Sequence, residues 1–153
     1  MLKMREFFQT ITRSFGLLNK FCCSVDGLDF SVVQSHILYE IDTKENPSIQ
    51  QVADLLGIDV TTFSRQIQTL AKMDLVKKIP SPEDKRVTNL ALTEKGKRVA
   101  KDIDRQVNDY LNDIFLQMND FERDTVQRSI KFLADVMNRS RLEDRKDCED
   151  TTC

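Results

Sequence analysis

The stretch from Ser48 to Val76, SIQQVADLLGIDVTTFSRQIQTLAKMDLV, constrains this chain more than any other. Ile49, Val52, Ala53, Leu55 and Leu56 fall at helical spacing, and Ser48 in front of them is a good N-cap. Gly57 stands where that short helix should stop, because it takes the left-handed conformation without a Cβ penalty. Asp59 can cap a second helix, from about Val60 to Met73, that buries Phe63, Ile67 and Leu70. Thr61, Thr62, Ser64, Arg65 and Gln68 fall on its other face. Two short helices joined by about three residues with a glycine make a helix-turn-helix. Ala53 suits that motif, since a small side chain lets the second helix cross the first closely.

After Asp74 the apolar period changes to two. Leu75, Val76 and Ile79 predict one strand, and Val87, Leu90 and Leu92 a second. Between them, Pro80, Ser81 and Pro82 start a turn that Glu83, Asp84, Lys85 and Arg86 complete. The prolines deter a further strand from pairing there. A hairpin directly after a helix-turn-helix is a wing.

The rest of the chain reads as helix. Residues 2–23 carry Phe7, Phe8, Ile11, Phe15, Leu18 and Phe21 at helical spacings, until Asp26, Gly27 and Asp29 break the pattern. A second helix, from Ser31 to Asp42, turns Val32, Val33, Ile37, Leu38 and Ile41 inward, with Ser31 or Asp29 as its cap. Asn46-Pro47 is a turn. Thr93 can cap a long helix from Glu94 to about Met118, Asn119-Asp120 interrupts it, and a last helix runs from about Phe121 to Ser140. From Arg141 the sequence is charged and nearly without apolar residues, which predicts a disordered tail. The fold class is therefore mostly α with a small β-hairpin wing.

Charge narrows the partner. Net charge is only −2 over 153 residues, so the chain is not a globally basic nucleic-acid binder. Locally it is basic. Residues 61–98 hold nine Lys and Arg against four acids, an excess of five, which leaves −7 on the remainder. This asymmetry suggests one face for a polyanion, with ordinary scatter of surface charge as an even alternative on charge alone. No apolar run spans a bilayer and no signal peptide is visible, so a cytoplasmic protein without a membrane partner is expected. An enzyme is not expected. His36 is the sole histidine, and Gly-rich phosphate loops and the HExxH and GxSxG patterns are absent. No cofactor is implied, and no CxxC pair suggests structural zinc.

The order of these elements resembles the MarR (multiple antibiotic resistance regulator) family of winged-helix transcription factors. Residues 5–140 carry the resemblance, most specifically Ser48–Gly96. Thr61–Val76 is similar to that family's recognition helix and the strand leaving it. Asp84-Lys85-Arg86 is similar to its D-x-R wing signature, and Leu92-Thr93-Glu94-Lys95-Gly96 to its L-T-x-x-G entry into the dimerisation helix. Asp74 departs from the pattern, which usually has Gly there, but Asp tolerates the left-handed conformation better than most residues. The resemblance implies a dimerisation helix at 1–30, a winged helix-turn-helix lobe at 31–93, dimerisation helices at 94–140, and the tail at 141–153.

Residue roles follow from DNA chemistry. A major groove admits one helix, so the helix from Val60 would lie there. Thr61, Thr62 and Ser64 are short donors suited to phosphates near its N-terminus, although the two threonines can equally serve as caps. Arg65 and Gln68 are long enough for base edges, with a phosphate as the alternative for Arg65. Arg86 at the wing tip suits a minor groove, and Lys77, Lys78 and Lys85 suit phosphates. By resemblance, Asp84 holds the Arg86 guanidinium by a salt bridge. Specificity calls for a homodimer on a palindromic operator of double-stranded DNA. Phe7, Phe8, Ile11, Leu111, Ile114, Phe115, Phe132 and Leu133 are the apolar surplus for that contact.

Two signals are in view. The resemblance implies a repressor released by a small aromatic or phenolic ligand near Phe15, His36 and Tyr39. The alternative is oxidant or soft-metal sensing by Cys22 and Cys23, bridging to Cys148 or Cys153. Placed near a helix C-terminus, Cys22 and Cys23 would be poorly activated, with Lys20 working the other way. A third reading is a winged-helix protein-interaction module without DNA binding.

Overall fold

The computed structural model describes residues 3–150, with side chains for residues 3–141. It divides into two units, Met1–Asn108 and Asp109–Cys153. The first begins with α1, Met4–Ser14, which is shorter than the helix expected over residues 2–23. Gly16 ends it at φ 79°. The Gly16 N–H donates to the Arg13 carbonyl and the Leu17 N–H to that of Thr12, the paired bonds that close a helix on a left-handed residue. Apolar spacing continues past that point through Leu18 and Phe21, which hides the stop from a periodicity reading.

A hairpin follows. β1, Cys23–Val25, pairs antiparallel with β2, Leu28–Phe30, across a turn with Asp26 and Gly27 both at positive φ. Asp29 thus lies in a strand, and Ser31 is the cap of α2, Val32–Thr43. The Ser31 hydroxyl accepts from the Gln34 N–H while the Gln34 side chain accepts from the Ser31 N–H. Ser48 and Gln51 repeat this box at α3, Ile49–Leu56. Ile37, Leu38 and Ile41 of α2 are buried as expected, but Val33 is exposed and Val32 half-buried.

α3 stops at Gly57, φ 67°, and α4 follows at Val60–Lys72. Val52 and Ala53 meet Phe63, Ile67 and Leu70 in one core with Phe30, Leu75 and Leu90, all with no exposed surface. Each large side chain there contributes about 1.5–3 kcal/mol by burial. α4 ends as α1 does, now on Asp74 at φ 59°, with Asp74 N–H to the Ala71 carbonyl and Leu75 N–H to that of Leu70. The aspartate in place of glycine therefore keeps the left-handed stop.

The wing is β3, Val76–Pro80, antiparallel to β4, Thr88–Leu92, in the register Val76 opposite Leu92 and Pro80 opposite Thr88. The Leu90 N–H donates to the Pro47 carbonyl, and Ser48 bridges Asn89, so the base of the wing is tied to the start of α3. α5, Glu94–Phe115, buries Gly96, Val99, Ala100 and Ile103.

In the second unit the chain turns at Asn119, whose side chain caps α6, Asp120–Asp150. Arg123 donates to the Phe115 and Met118 carbonyls and secures that turn. The backbone is helical to Asp150, within the segment expected to be a disordered tail from residue 141. Asp, Arg and Glu make up most of residues 141–150, and no Gly or Pro stops the helix there. Residues 151–153 of that tail lie outside the described residues. No helix of the described residues is long and apolar enough to cross a membrane.

Candidate nucleic-acid interface

α4 presents a regular polar face. Phe63, Ile67 and Leu70 are buried at i, i+4 and i+7, while Thr61, Arg65, Gln68 and Lys72 repeat that spacing two residues out of phase and are all exposed. The offset of two residues is about 200° around a helix, so these four side chains point away from the core. Lys72 was not among the expected site residues, although its spacing from Gln68 places it in the same row. Ser64 is half-buried, at the flank.

The N-terminus of α4 differs from expectation. Asp59 accepts the Thr62 N–H at 2.9 Å. Its carboxyl is held below the ordinary 3.8 by the Thr62 side-chain hydrogen bond first and the Thr62 backbone N–H second. The helix end expected to draw a phosphate already holds the chain's own carboxylate. Thr62 is thus engaged by the Asp59 cap rather than capping the helix itself, while Thr61 stays exposed on the polar face.

This cap has a pH signature. A carboxylate with a lowered folded-state pKa adds stability above its unfolded value and loses it as pH falls through the lowered one. Wild type should therefore exceed Asp59→Asn, which keeps a capping oxygen without the charge, by a margin that closes as pH drops below about 3.8. Melting temperatures of both proteins between pH 6 and pH 2 check this. Parallel curves would remove the argument.

The wing tip is a closed turn. The Ser81 N–H donates to the Val87 carbonyl, and the Val87 N–H to that of Asp84. The Asp84 carboxylate accepts the backbone N–H of Arg86 at 2.9 Å. This corrects the expected salt bridge. Asp84 orients Arg86 through its main chain, and among the described residues the two form no ion pair. Asp side chains hydrogen-bond readily to the backbone two residues on, which is why that bond forms. Lys77, Lys78, Lys85 and Arg86 are all exposed.

A joint that the sequence reading missed connects α4 to α5. Thr93 Oγ1 donates to the Asp74 carbonyl at 2.6 Å and accepts the Gly96 N–H at 2.9 Å. The Thr93 N–H donates to the Leu75 carbonyl, and Lys95 Nζ to that of Met73 at 2.9 Å. A Cβ on Gly96 would stand 2.0 Å from the Leu75 oxygen, so only glycine lets the two elements meet. Leu92-Thr93-Glu94-Lys95-Gly96 is legible as a motif, but its partner carbonyls are not.

The expected sensing residues are scattered. A cavity of about 290 Å³ between α2 and α5 is lined by Tyr39, Asp42, Thr43, Lys97, Ala100, Lys101 and Asp104. Tyr39 is the one expected pocket residue in it. His36 and Phe15 are exposed elsewhere, and the lining is more charged than an aromatic ligand site requires. Cys22 and Cys23 lie eight and nine residues beyond the end of α1, so the helix-dipole argument against them fails. The Cys22 N–H donates to the Phe30 carbonyl, Cys23 opens β1, and their sulfurs are joined as a vicinal disulfide. Cys22 is exposed and Cys23 buried. The expected bridges to Cys148 and Cys153 fall on side chains outside the described residues. No cluster of three or more His, Cys, Asp or Glu is placed to hold a metal among the described residues.

Residues 30–88 match the MarR family. The uncharacterised HTH-type transcriptional regulator YybA of Bacillus subtilis (strain 168) is 30% identical, over 58% of this chain and 63% of its own length. The chain thus spans less than two thirds of that relative. YsmB of the same organism, also an uncharacterised HTH-type transcriptional regulator, is 26% identical over 67% of this chain and 68% of its own length. Streptococcus pneumoniae FabT in complex with DNA has a similar fold, at a TM-score of 0.78 and 18% identity over 89% of this chain and 96% of FabT. The S. aureus MepR–DNA complex gives 0.74 at 15%, over 89% and 99%.

Proposed function

We propose, on the premise of the MarR-family domain that this chain carries, that it is a homodimeric, cytoplasmic transcriptional regulator acting on double-stranded DNA. The observation that carries this reading is the exposed row Thr61, Arg65, Gln68 and Lys72 on a helix followed directly by an arginine-tipped wing. Similar folds have been seen in complex with DNA, and the relatives by sequence are transcriptional regulators rather than enzymes. Arg65 and Gln68 read base edges, Arg86 enters a minor groove, and Thr61, Ser64, Lys72, Lys77, Lys78 and Lys85 meet phosphates.

Dimerisation is supported by unpartnered apolar surface. α1 buries none of its residues, and Phe7, Phe8 and Ile11 are 45%, 37% and 44% exposed. In the second unit Phe121, Ile130, Phe132 and Met137 are exposed, and no described residue is buried. Helices this apolar and this open need a cover, and a second copy supplies it. The two copies bind a palindromic operator and repress until a small ligand favours a spacing that misfits DNA.

A duplex from the DNA beside the protein's own coding sequence should be retarded in preference to random competitor, by a species that sediments as a dimer at micromolar concentration. The absence of any preference in dilute salt with reduced thiols would overturn the proposal. A second signal is supported by the adjoining sulfurs of Cys22 and Cys23. Peroxide should then weaken retardation of wild type but not of the Cys22→Ser, Cys23→Ser protein. Equal responses would leave the small ligand as the only signal.

A further inference from the structure

We infer that Lys95 is a positioning residue for the recognition helix, and this rests on the DNA-binding reading above. α4 ends on the left-handed Asp74, and its closing bonds use the Leu70 and Ala71 carbonyls. The C-cap carbonyl of Met73, and those of Asp74 and Leu75 that follow the helix, are outside these closing bonds. All three are taken by the entry of α5: Lys95 Nζ on Met73, Thr93 Oγ1 on Asp74, and the Thr93 N–H on Leu75.

Lys95 differs from the neighbouring charges. Glu94, Lys97 and Arg98 are exposed, and Lys97 pairs with Glu94. Lys95 is half-buried and donates to a carbonyl 22 residues away. An ammonium at a helix C-terminus is favoured twice, by the hydrogen bond and by the negative end of the dipole. With its left-handed stop and this joint, the end of α4 is tied to the entry of α5, which sets the direction of the helix relative to the strands of the wing. Lys95 thus acts on DNA binding through Met73, although it belongs by charge to the same basic segment as the phosphate candidates.

The competing role is a direct phosphate contact, and the salt dependence separates the two. Lys95→Met should lower affinity for the preferred duplex roughly tenfold, the scale of a lost hydrogen bond to a charged group. The slope of log affinity against log salt should stay unchanged, whereas Lys85→Met should shallow it by about one. Lys95→Arg, which keeps a cationic donor, should recover most of the loss. In the free protein, amide hydrogen exchange over residues 70–76 should quicken roughly tenfold in Lys95→Met and stay unchanged over residues 49–56. A shallower slope, or unaltered affinity with unaltered exchange, overturns the inference. Faster exchange with no duplex preference even in wild type would retain the joint and overturn the DNA reading instead.

Discussion

Gly96→Ala should be strongly destabilising, lowering the stability of the first unit by about 3 kcal/mol or more. Its Cβ would lie 2.0 Å from the Leu75 oxygen, 2.9 Å from the Leu75 carbonyl carbon and 3.2 Å from its Cα. These are backbone atoms, so no rotamer change relieves the clash. Moving Leu75 away would withdraw its carbonyl from the Thr93 N–H and separate Thr93 Oγ1 from the Asp74 carbonyl. Leu75 itself has no exposed surface, so the displacement also opens the core. Gly27 is the useful contrast. It has φ +77° but nothing within 4 Å of a built Cβ, so Gly27→Ala should cost only the conformational strain, about 1–2 kcal/mol. Urea unfolding of the two variants beside wild type measures both effects. A Gly96→Ala protein as stable as Gly27→Ala would mean that the joint yields without cost.

The contrast between these glycines also explains what was legible in the sequence. The helix-turn-helix, the wing and the α5 entry are readable because local chemistry and apolar period agree there: Ser48, Gly57 and Asp59 punctuate segments whose buried residues repeat at three and four. The same agreement fails before residue 31. Phe15, Leu18 and Phe21 continue a helical period beyond Gly16, yet they are 46%, 75% and 44% exposed. A spacing that buries nothing is not held in helix by packing, and the glycine decides instead. Cys22 and Cys23 were misplaced for that reason. The repeated boxes Ser31–Gln34 and Ser48–Gln51 were available as signals at three-residue spacing. The joint at Thr93, Lys95 and Gly96 was not. Its partners are main-chain carbonyls some twenty residues earlier, and no side-chain pattern marks a carbonyl.

Arg86→Ala should weaken duplex binding by about 1–3 kcal/mol, near tenfold to a hundredfold, and shallow the salt slope by about one. The guanidinium is exposed at the tip of a turn whose geometry depends on Asp84, and the two Asp84 variants reveal how. A salt bridge to the guanidinium requires the carboxylate charge, so Asp84→Asn and Asp84→Ala would then fail alike. The bond in the structure runs instead from the Arg86 backbone N–H to Asp84 Oδ1, and an asparagine oxygen accepts it equally well. Asp84→Asn should therefore retain wild-type binding, or exceed it in low salt, because a negative charge beside the phosphates has been removed. Asp84→Ala loses the acceptor, frees the turn, and should fall up to about tenfold below Asp84→Asn. In the Arg86→Ala background the difference between the two Asp84 variants should vanish, since the turn then has no guanidinium to aim. Titrations of the six proteins against one duplex at two salt concentrations give the whole cycle. Equal losses in Asp84→Asn and Asp84→Ala, present only while Arg86 is intact, would restore the salt bridge and overturn the backbone account of the wing.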